Sequence, residues 1–369
     1  MALSVTRPLR ALSRTFPTPE MILPRSVGVD ISDASIKWLV LASDGDQHRV
    51  AAYGDEPLSP GIVVEGVIKD MPKLVESLHT LKKKWNGIEC AHAALPEEAA
   101  YVFNMFVPEG TGREQTLRLI EFDLEGRVPI PPSAAVYDFD IIEASTEAGM
   151  EIGVNVFPSE LAESYVDAFK TAGITLLSLE IEARSIARAV TCVKKDLVTM
   201  IVDFGRARTG IAVVKRGIPI FTTTVAVGGD AITKAVEESF AGTQEDVTSF
   251  KNDKGLYAED ELKPDAAKKM INAAAALADE VARHYHYWDT RRDEKDVRTT
   301  LVERVILTGG SANLKGLDDF IAGKVQAETN RGNIWRHIND FDHYIPPIDM
   351  RTSMQYATAV GLALRAIIL

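Results

Sequence analysis

Gly28-Val29-Asp30-Ile31-Ser32-Asp33-Ala34-Ser35-Ile36-Lys37 is the stretch that decides the fold. An apolar run ends at an aspartate, small and hydroxyl residues make a turn, and a second apolar run follows. The pattern predicts a strand over Ser26 to Ile31, a strand over Ser35 to Ala42, a turn at Asp44-Gly45-Asp46 and a third strand over Arg49 to Tyr53. The same unit returns roughly 170 residues later, a domain-scale duplication and not a short repeat. There a strand over Leu197 to Phe204 delivers Asp203 into Gly205-Arg206-Ala207-Arg208-Thr209. Strands over Gly210 to Lys215 and Ile218 to Val227 follow, with Arg216-Gly217 between them.

An aspartate at the end of a strand, followed by small and hydroxyl residues, suits phosphate. Backbone N–H groups in such a turn approach phosphate oxygens, and hydroxyls add donors. The carboxylate holds Mg²⁺ through water, because Mg²⁺ keeps much of its hydration shell. One such hairpin is also an ordinary β-turn; two, with matching strands around each, predict a clamp on one set of phosphates. The candidates are Asp30, Ser32, Ser35 and Lys37 in the first copy and Asp203, Gly205 and Thr209 in the second. A third element is Leu307-Thr308-Gly309-Gly310-Ser311, a buried strand running into a Gly-Gly turn before a helix. Its glycines allow close backbone approach to a nucleoside.

Between the copies, apolar residues at helical spacing predict a helix over Lys73 to Trp85, then a buried strand over Cys90 to Leu95. Residues 101–160 read as a smaller inserted unit with a helix over Glu114 to Glu125 and strands over Tyr137 to Glu143 and Glu151 to Pro158. Helices are expected over Ser159 to Ala172, Asp230 to Ala241, Lys263 to Thr290 and Thr352 to Ile368, and a strand over Glu303 to Leu307.

Composition sets the outer limits. The 369 residues suit about two domains. A formal net charge of -12 argues against general nucleic-acid binding. Cys90 and Cys192 lie in apolar surroundings outside any Cys-x-x-Cys pattern, which suits a reducing compartment. His284 and His286 form a pair that no carboxylate or cysteine pattern completes as a metal site. No run of ~18 apolar residues predicts a transmembrane helix. Met1 to Arg25 carries Arg7, Arg10 and Arg14 among Leu9, Leu12 and Phe16. It reads as a basic tail, either a plain flexible one or one that touches an anionic membrane or a partner.

The order of these elements resembles the actin, sugar-kinase and heat-shock chaperone superfamily, and further segments resemble the PilM family of type IV pilus assembly. Phe16-Pro17-Thr18-Pro19 precedes the first strand, and Gly61-Ile62-Val63-Val64-Glu65-Gly66-Val67-Ile68-Lys69-Asp70 follows the first meander. Val227-Gly228-Gly229-Asp230-Ala231-Ile232-Thr233, Glu280-Val281-Ala282-Arg283 and Gly361-Leu362-Ala363-Leu364-Arg365 complete the likeness, which spans about residues 16–369. Ser32 stands where the family's first hairpin has glycine. Thr248-Ser249-Phe250-Lys251 keeps the lysine of a ribose-contacting Glu-x-x-Lys and loses its glutamate.

The resemblance implies an α/β actin-like ATPase fold, with two lobes around a nucleotide cleft and an inserted subdomain of the FtsA and PilM type. It divides the chain into a tail (1–25), a first lobe (26–100 and 174–195), the inserted subdomain (101–173), a second lobe (196–350) and a C-terminal helix on the cleft base (351–369). It implies ATP and Mg²⁺, with little or no hydrolysis, and adds Gly228, Gly229, Lys251, Arg283, Gly309, Gly310 and Ser311 on the nucleoside side. Glu182 becomes the candidate for orienting water at the γ-phosphate, beside its plainer reading as a carboxylate at a helix N-terminus. The implied role is a cytoplasmic scaffold at the inner membrane. Its partner would be the N-terminal peptide of a PilN-like membrane protein, held in a groove near Phe106, Phe122 and Tyr137. Pilus motor ATPases and further copies of the chain are the other partners implied. The alternatives are an FtsA-like filament, which needs an amphipathic tail beyond Leu369, and a phosphotransferase, which needs a catalytic-base aspartate facing a sugar pocket.

Overall fold

Val27 and Val29 on β1 (Ser26–Ile31) are fully buried, while Gly28 between them presents bare backbone to a helix. A Cβ at Gly28 would lie 2.2 Å from the carbonyl oxygen of Ala359, so only glycine lets the helix lie this close. The structure is a computed structural model and describes residues 24–44, 47–192, 198–239, 242–291, 301–338 and 344–368. The basic tail before Pro24, the turn at Gly45 and Asp46, and the expected ends at Leu197 and Ala241 lie outside the described residues.

Strand β1 pairs antiparallel with β2 (Ser35–Asp44), which pairs with β3 (Gln47–Pro57). On its other side β1 runs parallel to β6 (Cys90–Leu95), and β6 to β10 (Thr175–Ile181). The order is β10-β6-β1-β2-β3. The second sheet has the same build: β11 (Val198–Phe204) leads an antiparallel meander with β12 (Thr209–Lys215) and β13 (Ile218–Val225). It also runs parallel to β14 (Val302–Thr308), which is followed by β15 (Glu328–Arg331). Asp30 sits opposite Lys37, and Asp203 opposite Gly210 and Thr308. The duplication is therefore one of topology as well as sequence.

A short hairpin, β4 (Val63–Val64) with β5 (Val67–Ile68), precedes helix α1 (Met71–Lys82). Asp70 caps α1 by accepting from the Lys73 amide at 3.2 Å. The helix stops short of the expected Trp85, because Asn86 and Gly87 turn the chain through positive φ. A three-stranded sheet, β7 (Tyr101–Val107), β9 (Gly149–Pro158) and β8 (Ala135–Thr146), carries helix α2 (Arg113–Arg127). Ile120 and Leu124 of α2 bury against Ile152, Val154 and Val156 in a small core of their own. Helix α3 (Ser159–Thr171) falls within the expected inserted unit, yet Tyr165 and Phe169 bury with Leu74 and Leu78 in the main core. Its apolar face matches the first lobe's surface.

Beyond β10 come α4 (Glu182–Val190), α5 (Gly229–Glu237), α6 (Gln244–Asp253), α7 (Pro264–Thr290), α8 (Leu317–Val325) and α9 (Met350–Ser353). The expected single helix from Thr352 is interrupted by a tight turn over Met354–Tyr356. The rest of it, α10 (Ala357–Ile368), lies between β1 and α4. Among the described residues no helix is long and apolar enough to cross a membrane.

Candidate functional site

The two hairpins face each other across a cleft of about 690 Å³, walled by the first sheet, the second sheet and the turn before α10. In the first hairpin the Ser32 hydroxyl donates to the Ser35 carbonyl at 2.9 Å and accepts from the Ser35 amide at 3.2 Å. That hydroxyl closes its own turn. Lys37 reaches from β2 to the Ser35 hydroxyl at 2.7 Å and to Asp55 at 3.5 Å. Burial raises the Asp30 carboxyl to about 6; Lys37 works against the shift, and Asp203 and Asp55 add to it.

In the second hairpin the Gly205 amide donates to the carbonyls of Asp203 and Arg208, both at 3.0 Å. Asp203 accepts from the Thr308 hydroxyl at 3.1 Å, which joins the hairpin to β14. Burial raises the Asp203 carboxyl, and Thr308 and Lys37 offset part of the rise. Gly309 follows at φ 87°, where a Cβ would meet the Phe204 carbonyl oxygen at 2.4 Å and an Asp203 carboxylate oxygen at 2.8 Å. Only glycine lets the turn into Gly310 and Ser311 lie beside that aspartate.

Two further carboxylates complete the floor. Glu182 opens α4, and burial holds its carboxyl well above the usual range, helped by Asp30, Glu98, Glu97 and Asp203. Glu97 follows β6 in a tight turn; burial raises it well above the usual range too, with Asp203 and Glu98 adding. Its Oε1 is buried with no hydrogen-bond partner. Buried carboxyls that crowd one another are relieved by protons or by a cation. Among the described residues no three His, Cys, Asp or Glu side chains are placed to hold an ion directly. The crowded carboxyls and the unpartnered Glu97 oxygen fit a hydrated divalent cation, whose waters could reach several carboxylates at once.

The match to known families settles the lineage. The family described as type IV pilus assembly protein PilM matches residues 28–367. The chain belongs to the PilM family. Among solved structures it is similar to a PilM-PilN type IV pilus biogenesis complex, with TM-score 0.74 and 18% identity over 94% of this chain and 99% of that chain. It is also similar to the ethanolamine utilization protein EutJ from Carboxydothermus hydrogenoformans, with TM-score 0.51 and 18% identity over 92% of this chain and 89% of that one. MreB5 of Spiroplasma citri, solved with ADP, gives TM-score 0.51 and 14% identity over 91% of this chain and 94% of that one. These likenesses establish an actin-like fold.

Placed on this PilM-family fold, the sequence candidates separate. Asp30, Ser32, Ser35, Lys37, Glu182, Asp203, Gly205, Gly309, Gly310 and Ser311 all line the cleft. Thr209 does not: it is fully buried, and its hydroxyl donates to the Val227 carbonyl at 2.6 Å. Gly228 and Gly229 support the second hairpin from behind, where Gly229 and Asp230 donate amides to the carbonyls of Gly205 and Arg206 at 3.0 and 2.9 Å. Lys251 is not among the cleft-lining residues either; its ammonium donates to the Thr233 hydroxyl at 2.6 Å. Arg283 is not among the residues that line the cleft. Helix α7 turns Val281, Tyr285 and Trp288 inward, which leaves Arg283 on the solvent face, paired with Glu280.

Sequence reasoning missed Asp55, Glu97 and Glu98, and gave Asp33 and Arg208 no firm role, although all five line the cleft. The readable signal was Pro96-Glu97-Glu98 directly after a buried strand. A second cavity, of about 630 Å³, opens between β8, β10 and α3. Tyr137 lines it; Phe106 and Phe122 do not, and Phe122 is 88% exposed on the far face of α2.

Proposed function

We propose that this chain is a cytoplasmic, ATP-binding scaffold of a type IV pilus assembly machine, and that it holds the N-terminal cytoplasmic peptide of a PilN-like inner-membrane protein. The observation that carries the peptide reading is the pair of sheet edges at the second cavity. β10 ends the first sheet, β8 ends the inserted sheet, and both line the same groove. An extended peptide satisfies such edges with its backbone, while side-chain pockets supply selectivity. Val136, Val166 and Leu179 offer apolar contacts there, and Asp138, Asp140, Glu163 and Arg184 offer charges.

In the nucleotide cleft, Asp30 and Asp203 would meet the water shell of Mg²⁺ and Gly205 would present its turn to the phosphates. Gly309, Gly310 and Ser311 would lie on the nucleoside side, with Gly228, Gly229 and Lys251 as the further candidates there. Bound Mg²⁺ would supply positive charge where the carboxylates crowd. Burial holds the Glu182 carboxyl well above its usual range, and with little or no hydrolysis the nucleotide would act as a structural ligand.

The test is fluorescence anisotropy with a labelled peptide of the PilN-like tail, with and without Mg-ATP, beside calorimetry of ATP binding. Saturable peptide binding that a Val136→Asp substitution abolishes supports the scaffold reading. No peptide binding under either condition overturns it, and no ATP binding overturns the nucleotide reading.

A further inference from the structure

Arg208 leaves the second hairpin and crosses the cleft to the first lobe. Its Nε lies 2.7 Å from Glu98 Oε1, and its Nη2 donates to Asp33 Oδ2. Asp33 is itself anchored: its carboxylate accepts from the Glu65 and Gly66 amides at 3.0 and 3.1 Å. The Gly66 carbonyl in turn accepts from the buried Tyr165 hydroxyl at 2.8 Å. Arg208 therefore ties the tip of one hairpin to the tip of the other, and through Asp33 to the core of the first lobe.

The other cations on the cleft wall are differently placed. Lys37 pairs with Asp55 within the first lobe, and Arg206 pairs with Asp230 within the second. Among the described residues that line the cleft, Arg208 is the cation whose ion pairs join the two lobes. All three of its groups are only part-exposed, with side-chain exposures of 24% for Arg208, 32% for Asp33 and 25% for Glu98. A guanidinium presents a planar fork of donors that suits phosphate as well as carboxylate.

We propose that Arg208 is a positioning residue that changes partners: in the ligand-free protein it straps the lobes through Asp33 and Glu98, and the terminal phosphate of a bound nucleoside triphosphate captures it. The proposal rests on the nucleotide reading of the cleft. Phosphate oxygens entering between the hairpins compete with two carboxylates for one guanidinium. With the nucleoside at the Gly309 turn of the second lobe, the terminal phosphate would be the one nearest Asp33 and Glu98 on the first. Triphosphate binding thus breaks the strap, while diphosphate binding leaves it closed.

A static brace would behave differently. The experiment is calorimetric binding of Mg-ATP and Mg-ADP to the full chain and to its Glu98→Gln, Arg208→Gln and Arg208→Lys variants. Thermal melts of each variant without nucleotide confirm that it is folded. Glu98→Gln weakens the competitor, so it tightens ATP binding several-fold and leaves ADP unchanged. Arg208→Gln weakens ATP binding about tenfold, the loss of one charge-assisted hydrogen bond, with little change for ADP. Arg208→Lys falls between. If Glu98→Gln weakens ATP binding or leaves it unchanged, or if ATP and ADP shift together, the strap is a static brace and the proposal is wrong. If the wild-type chain binds neither nucleotide, the reading of the cleft has failed, and this proposal with it.

Discussion

Arg188 holds both oxygens of Glu180, its Nη1 2.5 Å from Oε1 and its Nη2 2.8 Å from Oε2. The same Nη1 donates to the Gly361 carbonyl at 2.8 Å, and the Ser185 hydroxyl and Arg365 also donate to Glu180. One buried carboxylate thus fastens the end of β10 to α4 and to α10. Burial by itself would raise this carboxyl. The hydrogen bonds and charge of Arg188, then Ser185 and Arg365, outweigh it and hold it at about 2.

Removing one member of such a buried pair leaves the other charged and alone, so Glu180→Ala is expected to cost about 3–5 kcal/mol in urea unfolding at pH 7. The sign with pH follows from a depressed carboxyl. Its stabilisation is complete above the ordinary value of 4.5 and drains away as pH falls towards about 2. The stability gap between wild type and Glu180→Gln therefore narrows from pH 7 to pH 3. A gap that stays constant would show that the carboxylate's charge does not matter.

Asp30 has the opposite sign. Its carboxyl is raised from 3.8 to about 6, so between those values the fold holds a proton that the unfolded chain releases. Its share of stability falls as pH rises from about 4 to about 6, then levels off. Asp30→Asn lacks the titration, so it gains on wild type over that window in denaturation without Mg²⁺ or nucleotide. Parallel curves for the two proteins would contradict the buried, crowded state of Asp30.

Two glycines at similar positive φ separate backbone strain from crowding. Gly87, at φ 82°, has open space where a Cβ would go, whereas Gly309, at φ 87°, has backbone at 2.4 Å. Gly87→Ala should cost about 1 kcal/mol, the strain of a left-handed alanine. Gly309→Ala should cost several times more in thermal unfolding, because Phe204 and Asp203 must shift. Equal losses would mean that the Gly309 turn is not held in place by the second hairpin.

The groove reading is tested by position. Val166 lies in the groove on α3 and is 43% exposed, so Val166→Glu should leave the melting temperature within a degree or two and abolish peptide binding. Phe122→Ser, at 88% exposed on α2, should change neither. Peptide binding that survives the first change and fails with the second would move the docking face to α2.

Much of the frame was legible because it is local. Strands β1 and β6 fall on Ser26–Ile31 and Cys90–Leu95 as read, since an apolar run bounded by a turn residue or Pro96 has few other solutions. The aspartate hairpins were visible for the same reason, and Gly309-Gly310 read as a turn of close backbone approach, which the φ of 87° at Gly309 bears out. What was hidden depends on phase or distance. Thr209 and Gly210 are neighbours, yet alternation along β12 buries the first and brings the second to the cleft. Arg283 fits a motif by spacing, while the phase of α7, set by buried Val281, Tyr285 and Trp288, leaves its side chain exposed. Arg208 meets Asp33 across 175 positions, and no pattern in either segment records the other.

The contact of α10 with Gly28 also orders events in time. A ribosome delivers β1 long before α10, yet the two pack face to face, and Gly361 of α10 is pressed so close to Ser185 of α4 that a Cβ there would lie 1.8 Å from its carbonyl oxygen. The second sheet, from Val198 to Arg331, and the inserted sheet have all their strands before α10 emerges. The strands of the first sheet have emerged by then as well, but its β1 face stays uncovered until α10 follows. Nascent chains stalled before Ala357 should therefore carry a first sheet that is more protease-sensitive than the other two, so that the first lobe completes its fold only after the second sheet has formed.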